Sequence, residues 1–241
     1  MVDYLAIGAA SNLVAHIAVH PIDNLCSYLA ATRVTKISLF RGLIPQLSPA
    51  ALRGAVISGG YGYVHEYCRT YKNKIPFWCA HLAASTTAAT GFVASNYFYE
   101  RALWQLQKIK NTSLVVNANP IPRIQWSQIP IVILFLTSYG GIRHSTVGDN
   151  GNQLQYFTIG GLSGLVATGL NYPLGRYHYC RTHSIVCEVM HDARYCLKYM
   201  WNNKLFYTGA SMQFYTAFWR SGILFTMLEM LLKWRDKENA I

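Results

Sequence analysis

Two arginines stand inside otherwise apolar stretches, Arg53 within 42–65 and Arg220 within 205–228. A guanidinium in a long apolar run is expensive to bury. It either holds an anionic substrate or pairs with an acid, a backbone carbonyl or a lipid phosphate. His183, Cys187 and His191 recur four apart, on one face of a helix, with His178 and Cys180 nearby. Imidazole and thiolate ligands at that interval would suit a metal ion. The spacing matches no zinc signature, however, and ordinary polar positions account for it more simply, so no metal is expected. Neither a nucleophile–base set nor a cofactor motif stands out, and no enzyme is expected.

The composition says what scaffold must position such residues. Of 241 residues, 52% are hydrophobic and 13% charged, with a net charge of +11 and a mean hydropathy of +0.16. The charged share is about half of the roughly 25% usual for soluble domains. So apolar a chain excludes intrinsic disorder, and its 6 Cys are too sparse for a disulfide scaffold. Segments 4–22, 77–99, 124–142 and 150–175 carry no Asp, Glu, Lys or Arg, while 42–65 and 205–228 carry one arginine each. A spanning helix needs about 20 mostly apolar residues, so six transmembrane helices are expected. Small residues clustered at 8–11, 83–85 and 160–164 suit close helix packing in lipid. The start of the chain reads as no signal peptide, so targeting is expected to be internal. Lys and Arg favour the loops between odd and even spans, and aromatic residues such as Trp78, Trp126, Trp201 and Trp234 lie near span ends. The basic residues flank spans rather than forming a stripe, which points to anionic lipid headgroups and not to nucleic acid.

The spans repeat. Segment 8–22 reads GAASNLVAHIAVHPI and segment 160–174 reads GGLSGLVATGLNYPL, with Pro21 and Pro173 at equivalent places and Phe98 in the same place between them. Similar turns follow at 39–42 (LFRG) and 205–209 (LFYTG). This pattern resembles the mitochondrial carrier family. The resemblance implies an all-α membrane protein of six transmembrane helices in three pseudo-symmetric repeats, about 1–76, 77–152 and 153–241, forming a single carrier-like domain. It also implies a mitochondrial inner-membrane location with both termini toward the intermembrane space. In the family each odd helix ends in Pro-x-Asp/Glu-x-x-Lys/Arg, and each even helix in Phe/Tyr-Asp/Glu-x-x-Lys/Arg.

Those signatures are eroded here. The odd-helix positions hold Pro21, Asp23 and Cys26; Phe98, Glu100 and Leu103; Pro173, Gly175 and His178. Carriers close the matrix side by pairing each acid with the base of the next repeat. Carried over, that gives Asp23 with Leu103, Glu100 with His178, and Gly175 with Cys26. Only the second could carry opposite charges, and only with the imidazole protonated. On the cytoplasmic side the positions hold Glu66 with Arg69, Gly140 before Arg143, and Glu229 with Leu232; an ungapped count in the first repeat places Tyr61, Gly62 and His65 there instead. The first two matrix connections are short or irregular, and the third keeps a helix-forming stretch. The expectation is a degenerate carrier that no longer transports and serves as an accessory subunit of an inner-membrane respiratory complex. Its partners are then the other subunits and membrane lipids, with cardiolipin a candidate bound phospholipid and no other cofactor. The alternative is a working anion carrier that uses Arg53 and Arg220.

Overall fold

The computed structural model describes residues 2–30, 40, 43–70, 76–110, 128–148, 151–183 and 193–238, and these are helical with no strand among them. Helix α1 spans Val2–Ala30. Helix α2 (Leu43–Gly54) continues through a π-helical turn (Ala55–Gly59) into α3 (Gly60–Thr70). Then come α4 (Phe77–Lys110), α5 (Gln128–Thr146), α6 (Gln153–His183), the short α7 (Ala193–Asn202), a 3-10 turn (Leu205–Tyr207) and α8 (Ala210–Glu238). Each expected apolar span is met by a long helix. Most of these run past the uncharged stretch, α4 through Glu100 and Arg101 and α8 through Lys233 and Arg235. By length and composition, one described stretch is apolar enough to cross a membrane, Asp3–Leu25 with mean hydropathy 1.4. In the others Gly, Ser, Thr, Tyr and Trp dilute the aliphatic content.

Local signals set the helix ends. Asn152 and Gln155 cap α6 reciprocally, each side chain bonding the other's backbone N–H at 2.9 Å. Helix α5 closes on Gly148, whose φ of +60° lets its N–H reach the Arg143 carbonyl at 2.9 Å. Before α8 the chain turns at Gly209, with φ +77°. That turn is tied to α6 by hydrogen bonds from Tyr172 to the Thr208 carbonyl and from Tyr207 to the Gly169 carbonyl.

The long helices pack in a closed order. Helix α1 lies against α2 and the π turn on one side and α8 on the other; α3 packs on α4, α4 on α5, α5 on α6, and α6 on α8. Two contacts are made backbone to backbone. A side chain at Gly8 would sit 2.8 Å from the Gly59 Cα and also strike Gly54, and one at Gly160 would lie 2.7 Å from the Ser221 carbonyl oxygen. Gly54 and Gly59 are five residues apart, so a regular α-helix would turn them to different faces. The wider π turn brings both against α1.

Polarity runs inward. Ser11, His20, Ser58, His81, Ser85, Ser163, Ser221 and Glu229 are buried, while Ile17, Leu82, Leu162, Val166, Leu170 and Leu174 are exposed. Buried hydroxyls are satisfied within their own helices, as Ser11 donates to the Ile7 carbonyl and Ser163 to that of Ile159, both at 2.8 Å. The apolar core gathers toward one end of the ring, around Tyr61, Ala84, Ala88, Leu136, Tyr139, Phe225 and Leu228. The first and last helices meet at this end, the termini end, where the Arg235 guanidinium lies 4.1 Å from the Tyr4 ring centroid.

Candidate functional site

The termini end holds a partly open cavity of about 230 Å³. Helix α3 contributes Tyr61, Gly62 and His65 to its wall, α5 contributes Tyr139 and Arg143, and α8 contributes Leu228, Glu229 and Leu232. They include, apart from Gly140, the even-helix positions that the resemblance to carriers would give with the ungapped first count. The leading residue of each set, Tyr61, Tyr139 or Leu228, is buried. Glu66 also lines the cavity; the Arg69 side chain lies outside the described residues.

At the charged heart of the site Arg143 of α5 pairs with Glu229 of α8. Arg143 Nε approaches Glu229 Oε1 at 3.0 Å, and Nη2 donates to Oε2 at 3.1 Å. The Tyr139 hydroxyl donates to the same carboxylate at 2.7 Å. A charge-assisted hydrogen bond from Nη2, a second donor in Tyr139 and the close Nε contact, which lacks hydrogen-bond geometry, together make the buried charge pair tolerable. Tyr139 is held in turn by the Phe225 ring, stacked 3.5 Å away and 8° from parallel. At the rim, Lys233 donates to the Gly151 carbonyl at 2.9 Å and lies over the Tyr156 ring. Partial burial works against the Arg235 charge, but hydrogen bonds to Asp236 and Tyr4 outweigh it and hold its pKa above the ordinary arginine value.

Beside this pair, imidazoles occupy space that an acid side chain would need. His81 of α4 is 2% exposed, and its Nδ1 shares a 2.5 Å hydrogen bond with the Tyr61 hydroxyl. The His65 ring packs 4.5 Å from His81, and Phe77 packs 4.2 Å from it. Gly140 makes room for the cluster: a Cβ there would sit 2.7 Å from the Tyr61 oxygen and collide with the His81 ring. An aspartate or glutamate at 140 is therefore sterically incompatible with this packing. The repeated Tyr-Gly-x-x-base spacing at 61–65 and 139–143 is a signal for the Tyr and Gly positions, whereas nothing in the sequence marks His81.

The opposite end holds the odd-helix positions. Pro21 and Pro173 are carried inside α1 and α6 rather than ending them. Asp23 pairs with Arg220 across the α1–α8 contact. Arg220 thus has a partner acid, and Asp23 meets a cation that the signature does not supply. Glu100 is half-buried and Phe98 exposed, and a side chain at Gly175 would meet open space. The side chains of Cys26, Leu103 and His178 lie outside the described residues, as do those of Cys180 and His183 and the whole of Cys187 and His191. Arg53 is exposed on α2. Among the described residues no group of three or more His, Cys, Asp or Glu side chains could hold a metal ion. The third connection carries α7, which seats Cys196 and Met200 against Tyr177, Leu205 and Phe206.

No family model, curated protein or solved structure matches this chain.

Proposed function

We propose that the chain is a degenerate member of the mitochondrial carrier fold, resident in the inner membrane with both termini toward the intermembrane space. In this reading it is inactive in transport and serves as an accessory subunit of a respiratory-chain complex. The observation that carries this reading is the cavity at the termini end. Side chains of α3, α5 and α8 meet there, which is compatible with three repeats, and at the even-helix positions among the described residues the Arg143–Glu229 pair joins α5 to α8 where a working gate would use a ring of such pairs. The remaining places are filled by Gly62, Gly140, Leu232 and an imidazole–tyrosine stack. A gate must exchange its closures as it alternates, whereas a packed aromatic closure favours one state.

The inverted polarity supports the membrane part of the reading. Leu and Val face outward along α6 while serines and a glutamate sit inside. Lipid then contacts the exposed face, and the basic residues of α7, Arg194 and Lys198, reach anionic headgroups, cardiolipin among them. The Asp23–Arg220 pair weighs against the anion-carrier alternative, because it neutralises one of the two cations that reading relies on.

Native purification from mitochondrial membranes tests the proposal. Comigration with a large respiratory assembly, and no uptake of labelled anions when the pure protein is placed in liposomes, is the expected result. A free monomer that exchanges a labelled anion would overturn it.

A further inference from the structure

The stack of His65, His81 and Tyr61 lies where the termini end closes, and the proposed role uses only its packing, not its capacity to take up protons. We infer that it is a proton-sensitive latch: neutral, it seals the termini end of the helical ring, and protonation of its imidazoles releases α3 from α4 and α5.

The geometry gives each part a task. His81 is buried from α4, and its Nδ1 is committed to the Tyr61 hydroxyl at 2.5 Å, so in the sealed form the neutral ring and the hydroxyl share one hydrogen bond, with either the O–H or an Nδ1–H as donor. A protonated ring carries N–H on both nitrogens, so the tyrosine hydroxyl can then only accept from it, and the hydroxyl hydrogen must find another acceptor while the buried ring holds a charge. The space for the hydroxyl to turn into is limited, since the Gly140 backbone of α5 abuts both groups. His65 packs on both partners, 4.5 Å from the His81 ring and 5.8 Å from the Tyr61 ring, so its charging is felt in the same place. His65 and Tyr61 also line the cavity, which gives protons a route inward.

The charges facing the stack favour release. From α5 come Arg143 and His144, the latter stacked on Phe77, which itself edges His81. From α3 comes Glu66, and from α8 come Glu229, engaged by Arg143, Asp236, engaged by Arg235, and Lys233. From α1, Tyr4 completes that side of the cavity. An imidazolium in the stack would thus form beside the fixed Arg143 guanidinium. In the latch the sealed form, with His81 buried and engaged by Tyr61, binds fewer protons than the released form. Its stability is therefore full above the ordinary imidazole pKa of about 6.5 and falls as pH drops below it.

Hydrogen exchange on the full-length protein in lipid nanodiscs tests the latch, with rates corrected for the intrinsic effect of pH. Between pH 7.5 and 5.5, peptides covering 57–65 and 136–146 should exchange at least about tenfold faster, the change expected for one imidazole taken one pH unit below its ordinary pKa. Peptides in the α6–α8 contact, 157–168, should change far less. His65→Gln and His81→Gln, which stay neutral, should each flatten the response. Should His81→Gln fail to fold, the half-buried His65→Gln decides alone. Equal corrected exchange at the two pH values, an equal rise across all peptides, or an undiminished response in the glutamine variants would each overturn the latch. Because the readout needs neither transport nor a partner complex, its failure would leave the proposed role standing.

Discussion

Glu229→Gln is the most informative single change. The Glu229 side chain is 7% exposed and that of Arg143 20%, and the carboxylate takes two contacts from the guanidinium and one from Tyr139. The amide keeps one acceptor for the tyrosine but turns an N–H donor toward a guanidinium and leaves its charge unmatched. Breaking a buried pair by removing one partner costs about 3–5 kcal/mol. The partial exposure of Arg143 toward the cavity sets the expectation at the low end, about 3 kcal/mol. For a chain of this size that corresponds to a fall in Tm of about 6–12 °C, measured by circular dichroism on the purified protein in mild detergent. Arg143→Met should cost a similar amount, since it strands the buried carboxylate. The double variant Arg143→Met/Glu229→Met removes both charges together and should lose less than either single change. A Tm for Glu229→Gln within about 1 °C of the parent, or strict additivity in the double variant, would refute the claim that this pair is a staple.

Other substitutions read the helix contacts and ends. Gly8→Ala drives a methyl group into the backbone of Gly54 and Gly59, which cannot yield as a side chain can, and should destabilise by about 1–3 kcal/mol in the same melt. Asp23→Asn should cost no more than about 1 kcal/mol, because its pair with Arg220 is 27% and 42% exposed. Asn152→Ala removes the α6 cap and should lower stability by about 1 kcal/mol; loss of protection confined to amides 153–156 in hydrogen exchange would locate the effect.

The sequence is most legible where the signal is local. Uncharged runs mark the long helices, the LFYTG stretch marks the turn before α8, and the small residues at 8 and 160 mark the closest helix contacts. What escapes depends on distance along the chain. Arg220 and Asp23 are separated by 197 positions, and neither carries a sign of the other. His81 reads as a lone histidine in a run of alanines, and its meaning comes from Tyr61 on one helix and Gly140 on another. Helix ends are hidden for a different reason: hydrophobicity marks where a chain can be dry, whereas hydrogen bonding carries α4 onward through its charged residues.

The π turn at Ala55–Gly59 makes one helix tolerant of length. A π turn holds one residue more than the α turn it replaces, so removing Ile57 would let the segment tighten while Tyr61 and His65 keep their faces. Removing a residue between 66 and 70 offers no such slack and would rotate the remainder of the helix by about 100°. Insertions and deletions in this helix are therefore unequal events: at 55–59 the spacing of the chain can drift while the geometry of the cavity stays fixed.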